Sequence, residues 1–168
     1  MTAPTADVRR VAVGIGQLEV SKSGKDVLVA YGLGSCIGVS VFDPGTGVAG
    51  LVHILLPGSD GKPRDPREPA RFADYGLDLL VSSMVAAGGL KRRFVVKIAG
   101  GAAVLGPANA EKFKIGERNA EAIRDRLKLH GLTPAARDIG GTKGRTVELH
   151  VATGKTYVRT AASTPNEL

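Results

Sequence analysis

The segment from Val48 to Leu56 constrains the fold most, because it is apolar on both faces of a would-be strand. A strand with one solvated face alternates apolar and polar residues, whereas a strand covered on both sides is apolar throughout. We therefore expect this segment to lie in the middle layer of a stacked fold. Its polar interruption is His53, and an imidazole in such a strand needs a polar partner.

A turn signal connects this strand to the one before it. The sequence Asp-Pro-Gly-Thr-Gly at positions 43–47 is typical of a turn, and the apolar segment Ile37–Phe42 precedes it. A hairpin centred on the Pro-Gly pair places residues whose numbers sum to 89 opposite one another, and this pairs Cys36 with His53. Directly opposite residues have Cβ atoms about 5 Å apart, close enough for the imidazole to hold the thiol as a thiolate. A slip of one residue would place the two side chains on opposite faces.

Each of these residues also has a structural interpretation. Cys36 is the only cysteine in the chain, and free cysteines are usually small buried hydrophobic residues. A lone histidine in an apolar strand is more often a core residue with a satisfied ring. His150, in a late strand, is a rival partner for Cys36, whereas His130 is explained by the dipole at a helix C-terminus.

The glycines at positions 32, 34 and 38 surround Cys36. They resemble a phosphate-binding loop, but the following residues are typical of a strand and no helix begins there. We expect them instead to expose Cys36 and backbone N–H groups that can bind an oxyanion. One cysteine and three histidines lack the spacing of metal ligands, so we expect no metal and no cofactor.

The order of elements predicts an α+β fold in layers rather than an alternating parallel fold. The predicted strands are 11–20, 27–31, 37–42, 48–56, 94–99, 133–139, 146–151 and 155–158, with helices from Pro69 to Gly88 and from about Gly116 to His130. At 168 residues we expect a single domain, 1–168, with flexible ends at 1–7 and 161–168.

Composition narrows the classes of protein. No apolar run approaches the roughly 18 residues of a membrane span, and the first residues lack the features of a secretory signal. A free thiol suits the cytoplasm, where we expect the protein. The net charge of +7 favours acidic partners and leaves a nucleic-acid-binding protein as an alternative. Few aromatic residues and scattered basic ones argue against that alternative, so we expect no nucleic-acid partner and no membrane insertion.

Several segments in one order resemble the CheD family, the chemoreceptor glutamine deamidases of bacterial and archaeal chemotaxis. The resemblance covers roughly Val11 to Arg159, and its segments are Gly32–Val39, Asp43-Pro44, His53–Pro57, Arg71–Tyr75, Lys97–Ala102, Ile115–Asn119, Asp138–Gly141 and Gly144-Arg145. It implies a layered α/β/β sandwich similar to the catalytic domain of the cytotoxic necrotising factor toxins. It also implies a protein-glutamine glutaminase with Cys36 as the nucleophile and His53 as its base. The partners implied are methyl-accepting chemotaxis receptors as substrate and a CheC-type phosphatase.

The chain departs from the family pattern at two positions. Where the family commonly has a threonine six residues before the cysteine, this chain has Ala30, which leaves the orienting role vacant or filled by Ser35 or Tyr31. Where the family usually has a phenylalanine before the glycine pair, this chain has Ala99, in a region that resembles the partner-binding edge. The alternative is therefore a catalytically weak or inactive adaptor of the same fold, which binds receptors or a CheC-type phosphatase.

Overall fold

The computed structural model describes residues 7–104 and 110–168, and the side chains of 7–104 and 114–168. In these ranges the strands are β1 Arg9–Ala12, β2 Leu18–Ser21, β3 Asp26–Leu33, β4 Ile37–Phe42, β5 Ala49–Ile54, β6 Val95–Gly100, β7 Pro134–Ile139, β8 Arg145–His150, β9 Lys155–Arg159 and β10 Asn166–Glu167. The helices are α1 Ala73–Ala86 and α2 Ala110–Leu129, with a short 3-10 turn at Lys91–Arg93. The mixed α+β class is confirmed. The helices begin earlier or later than predicted, α1 at Ala73 rather than Pro69 and α2 at Ala110 rather than Gly116.

The strands form two five-stranded sheets. The inner sheet has the order β2-β5-β4-β6-β7, and the outer sheet has the order β1-β3-β8-β9-β10. Both helices pack on one face of the inner sheet, where their apolar side chains join those of β4, β5 and β6 in one hydrophobic cluster. The opposite face of the inner sheet packs on the outer sheet through a second cluster. The helices, the inner sheet and the outer sheet therefore form three layers.

Strand β5 lies in the middle layer, as its sequence predicts. All six of its residues are buried. Val52 and Ile54 belong to the cluster under the helices, whereas Ala49 and Leu51 belong to the cluster between the sheets. Because side chains alternate along a strand, His53 lies on the face toward the outer sheet.

The predicted hairpin forms, but its register is wrong by two residues. In the structure Gly38 lies opposite His53 and Ile37 opposite Ile54, so facing residues sum to 91 rather than 89. The loop has four residues, closed by a hydrogen bond from the Asp43 N–H to the Val48 carbonyl at 2.9 Å. Gly47 ends the loop with φ +76°, a conformation that favours glycine. The turn is therefore centred one residue later than predicted.

The predicted strand 11–20 is wrong, because the structure divides it between the two sheets. Strand β1 pairs parallel to β3 in the outer sheet, whereas β2 pairs antiparallel to β5 in the inner sheet. Between them Gly16 adopts φ +73°, which breaks the extended backbone and lets the chain cross from one sheet to the other.

The C-terminal residues 161–168, which the sequence predicts to be flexible, include a short strand that pairs with the outer sheet. Strand β10 pairs with β9, and the Leu168 N–H donates to the Thr156 carbonyl at 2.9 Å. The Lys97 ammonium donates to the Leu168 carbonyl at 2.6 Å. The Leu168 side chain also packs against the cluster between the sheets, and this apolar contact anchors the segment.

Candidate active site

Cys36 lies directly before β4, in a loop that is held by the backbone segment directly after β6. The Gly101 N–H donates to the Cys36 carbonyl at 2.9 Å, and the Ala102 N–H donates to the Gly34 carbonyl at 2.7 Å. Gly100 has φ +124°, and a side chain there would collide with the Cys36 carbonyl. A glycine at position 100 is therefore a condition for this placement of Cys36.

Cys36 and His53 lie on the same face of the inner sheet. Cys36 belongs to the cluster between the sheets. His53 follows Leu51 of that cluster by two residues along β5 and therefore lies on the same face of the sheet. A shift of two residues keeps every side chain on its face, so the corrected register preserves the shared face and places Gly38 rather than Cys36 directly opposite His53.

His53 is held in one orientation by the backbone of the crossing segment. Its ring is 3% exposed, and Nδ1 lies 3.0 Å from the Val13 carbonyl oxygen. Because a carbonyl only accepts, Nδ1 carries the proton, and the neutral ring presents Nε2 as a base. Among the described residues, Nε2 has no hydrogen-bond partner. The site therefore holds a buried, unpaired imidazole nitrogen in the tautomer that a general base requires.

Burial favours the neutral forms of both groups. It raises the pKa of the Cys36 thiol, an effect that the residue's own backbone N–H partly opposes. It lowers the pKa of His53, against the opposing effect of the Val13 carbonyl. Both shifts disfavour the charged forms. Both shifts oppose a thiolate–imidazolium pair in the free protein, and that pair stays a prediction.

Residues 55–160 match the family model described as CheD, chemotactic sensory transduction. A relative from Symbiobacterium thermophilum is 41% identical over 97% of this chain and 99% of its own length. The chain belongs to the CheD family. That relative is named as a probable chemoreceptor glutamine deamidase CheD.

Archaeal CheD proteins are similar to nearly the same extent. Relatives with the same printed name are 39% identical in Pyrococcus abyssi, over 90% of this chain and 91% of theirs, and 40% identical in Natronomonas pharaonis, over 89% and 87%. Among solved structures, a Neisseria meningitidis protein described as DUF152 has a TM-score of 0.42 and 12% identity, covering 80% of this chain and 63% of that one. A Bacillus licheniformis hypothetical protein has a TM-score of 0.43 and 12% identity, covering 80% and 60%.

The structure locates the positions where this CheD chain departs from the family pattern. Ala30 is fully buried in the cluster between the sheets, together with Cys36. Ala99 is also buried in that cluster, opposite Gly38 on the central part of the inner sheet, so this side chain is not at an exposed edge. Tyr31 is 48% exposed, and its hydroxyl accepts from Arg10 at 3.4 Å on the other face of β3. Tyr31 therefore lies on the face of β3 opposite to that of Ala30, and the orienting roles of Tyr31 and of Ser35, directly before Cys36, stay predictions.

The other histidines lie away from Cys36. His150 stacks edge-on against Tyr157, with ring centroids 4.9 Å apart, and its Nε2 lies 3.6 Å from Glu148. His130 follows α2 and contacts Asp78 of α1 at 2.7 Å. The contacts of His150 with Tyr157 and Glu148 therefore do not support it as the partner of Cys36.

Two groups at the site were missed by sequence reasoning. The Val13 carbonyl orients His53, and a backbone atom leaves no signal in the choice of side chain. Asn119 of α2 donates to the backbone beside both Cys36 and His53. It lies four residues before Ile123, on the stripe of α2 predicted to be buried, so a polar residue at an apolar position was an available signal.

Other kinds of site find little support in the described ranges. No three His, Cys, Asp or Glu side chains within them are placed to hold a metal ion together. No helix in the described part of the chain has the length and apolar character to cross a membrane.

Proposed function

We propose that this CheD-family protein hydrolyses glutamine side chains of chemotaxis receptors to glutamate, with Cys36 as the nucleophile and His53 as the base. The observation that carries the proposal is Nε2 of His53, which has no hydrogen-bond partner among the described residues and lies on the sheet face of the chain's only cysteine. The relatives' printed names, probable chemoreceptor glutamine deamidase, give the substrate class. One domain carries the reaction, in the cytoplasm.

The reaction has two steps. The Cys36 sulfur attacks the carboxamide carbon while its proton passes to Nε2 of His53, and backbone N–H groups near Cys36 stabilise the oxyanion. The imidazolium then protonates the leaving amine, which departs as ammonia and leaves a thioester. In the second step Nε2 takes a proton from water as that water attacks the thioester, which releases glutamate and restores the thiol.

The neutral resting state fits this sequence of proton transfers. An imidazole that is already protonated cannot accept the thiol proton, so the lowered pKa of His53 keeps the base available. The Val13 carbonyl opposes that lowering, because it stabilises the imidazolium that forms during attack. A backbone carbonyl thus supplies the orientation that the family threonine would otherwise supply, and Ala30 is compatible with catalysis.

Access to the thiol is narrow. Cys36 is 8% exposed and His53 is 3% exposed, so a glutamine side chain reaches the sulfur only when neighbouring groups give way. We expect binding of the receptor to open this route. Closure around the bound side chain also excludes water from the first step.

The finer expectations from the family resemblance belong to the same proposal. They are a fold like the catalytic domain of the cytotoxic necrotising factor toxins, a CheC-type phosphatase as a second partner, and an oxyanion or orienting role for Ser35. Each stays a prediction.

The test is incubation of the purified protein with receptor cytoplasmic fragments under reducing conditions. Mass spectrometry of receptor peptides should show the mass increase of amide-to-acid conversion. Cys36→Ala and His53→Gln should abolish it, whereas His150→Gln, a matched loss of an imidazole far from the site, should leave the rate unchanged. Absence of conversion with every candidate receptor would overturn the proposal. Retention of a chemotaxis phenotype by Cys36→Ala would favour the adaptor alternative.

A further inference from the structure

We propose that Asn119 is a positioning residue that fixes the loop of Cys36 against the strand of His53. This inference rests on the proposed function and assigns a role to a buried side chain of α2. It concerns placement of the reacting groups, because Asn119 itself contacts backbone rather than substrate.

The amide of Asn119 links the two chain segments that carry the reacting side chains. Its Nδ2 donates to the Ser35 carbonyl at 2.9 Å and to the Leu55 carbonyl at 3.0 Å. Ser35 directly precedes Cys36, and Leu55 follows His53 by two residues. The two hydrogens of one amide group therefore hold one carbonyl beside the nucleophile and one beside the base.

The link lies where the backbone ladder between the strands ends. The last pair of the β4–β5 ladder is Ile37 with Ile54. Beyond it the strands use other partners, since the Leu55 N–H donates to the Arg71 carbonyl and the Cys36 carbonyl accepts from Gly101. The Asn119 side chain thus connects the two chain segments where the backbone hydrogen bonds between β4 and β5 end. At this point it fixes the position of Cys36 relative to His53.

Helix α2 gives this side chain a fixed base. Ala120, Ile123 and Leu127 anchor the helix in the cluster under the inner sheet. Gly116 packs against the Gly101 carbonyl so closely that a side chain there would collide with it. Since Gly101 also donates to the Cys36 carbonyl, α2 holds the Cys36 loop at two points.

The nitrogen of the Asn119 amide accounts for an asparagine at this position. Asn119 is fully buried on an otherwise apolar stripe, and its Oδ1 has no hydrogen-bond partner among the described residues. A buried amide oxygen without a partner is unfavourable, so the oxygen does not favour an asparagine here. An apolar side chain would remove the donor to the Ser35 and Leu55 carbonyls, so these two hydrogen bonds are what the asparagine supplies.

The test compares Asn119→Leu, which keeps the number and branching of the side-chain heavy atoms and removes both donors, with Asn119→Ser, a smaller variant that keeps one hydroxyl donor. A misplacement of about 1 Å can reduce catalysis roughly 100-fold. We expect kcat on receptor fragments to fall about 10- to 100-fold in Asn119→Leu and less in Asn119→Ser, with KM changed less than about threefold. Iodoacetamide should alkylate Cys36 several-fold faster in Asn119→Leu at neutral pH, because the loosened loop exposes the thiol.

Ile123→Val is the matched control, one turn along the same buried stripe. It should lower Tm while leaving kcat and the alkylation rate unchanged. A folded Asn119 variant with a lower Tm but unchanged kcat and alkylation would show a structural role and overturn the proposal. If the wild-type protein deamidates nothing, the function fails, and the alkylation rates still decide whether Asn119 holds the Cys36 loop.

Discussion

Cys36 and His53 are buried between the two sheets, and at the residue scale this loss of water contact determines which protonation state of each side chain is favoured. Exposed cysteine proteases of the ion-pair type hold a thiolate before substrate arrives. Here burial favours the neutral thiol and the neutral imidazole, while the Val13 carbonyl fixes the ring. The pair is therefore organised by orientation before any charge develops.

Alkylation of Cys36 as a function of pH tests this description. A buried neutral thiol predicts that the iodoacetamide rate rises with a midpoint above the pKa of about 8.5 of a free cysteine. His53→Gln should leave that midpoint unchanged, because the ring does not stabilise a thiolate in the free protein. A wild-type midpoint below about 7 that rises in His53→Gln would restore the ion pair and contradict the neutral state.

At the scale of elements, the hairpin of β4 and β5 shows what the sequence could and could not predict. The bounds of β4 and the burial of β5 on both faces follow from the apolar pattern. The register does not, because the residues at positions 43–47 fit turns of different lengths, and the backbone geometry of Gly47 together with the contacts of Asp43 fixes the turn that forms. The prediction that Cys36 and His53 share a face does not depend on this error, because a register shift of two residues keeps each side chain on its face.

The site was predictable to the extent that side chains define it. Cys36 and His53 stand out as residue types, and Asn119 stands out as a polar residue on an apolar helix stripe. The crossing at Gly16, which brings the Val13 carbonyl to His53, depends on pairing between distant strands. Such pairing is a property of tertiary structure that local pattern does not contain.

Asp43 anchors the hairpin turn and gives a prediction at this scale. Its fully buried carboxylate accepts from the Arg93 guanidinium at 2.8 and 3.0 Å, from the Leu90 N–H at 2.7 Å and from the Gly45 N–H at 2.8 Å. Hydrogen bonds from Arg93, followed by those from the backbone, hold the pKa of Asp43 well below its usual range. Asp43→Asn should lower the free energy of unfolding at pH 7 by about 2–4 kcal/mol, measured by urea denaturation.

The sign of the pH dependence follows from the lowered pKa. The stabilisation is complete above the unfolded pKa of about 3.9 and is lost as the pH falls toward the folded value. The difference between wild type and Asp43→Asn should therefore shrink below about pH 4. Asp65→Asn removes an exposed carboxylate 3.6 Å from Arg67 and should change stability by less than about 0.5 kcal/mol. A pH-independent difference for Asp43→Asn would contradict an ionised role.

At the scale of the whole molecule, the contact between the two sheets determines how the site is enclosed. The inner sheet carries Cys36 and His53, and the outer sheet covers them through side chains such as Leu33 and Val147. Leu33 leans over Gly38, where a Cβ would lie 3.3 Å from its Cδ1. The absence of a side chain at position 38 therefore lets the outer sheet approach closely opposite His53.

A hydroxyl pair joins the two sheets within this apolar layer. Ser40 of β4 and Thr156 of β9 are buried, with their oxygens 2.9 Å apart. Removing one partner leaves the other buried and unsatisfied, so Ser40→Ala and Thr156→Val should each lower the free energy of unfolding by about 1–3 kcal/mol. The double variant leaves no buried hydroxyl without a partner. Its loss in free energy of unfolding should therefore be about 1 kcal/mol smaller than the sum of the losses in the two single variants.

Urea denaturation of the four proteins gives this double-mutant cycle, and Ser82→Ala, at an exposed serine of α1, serves as the control. Strictly additive losses would show that the two hydroxyls do not interact across the layers. Ser40 lies four residues from Cys36 on the same face of the inner sheet. The deamidation rate of the folded fraction of each variant therefore shows whether the contact between Ser40 and Thr156 also affects the active site. A pair that acts only in stability leaves that rate unchanged, whereas a pair that also sets the spacing between sheets at Cys36 changes it in both single variants together.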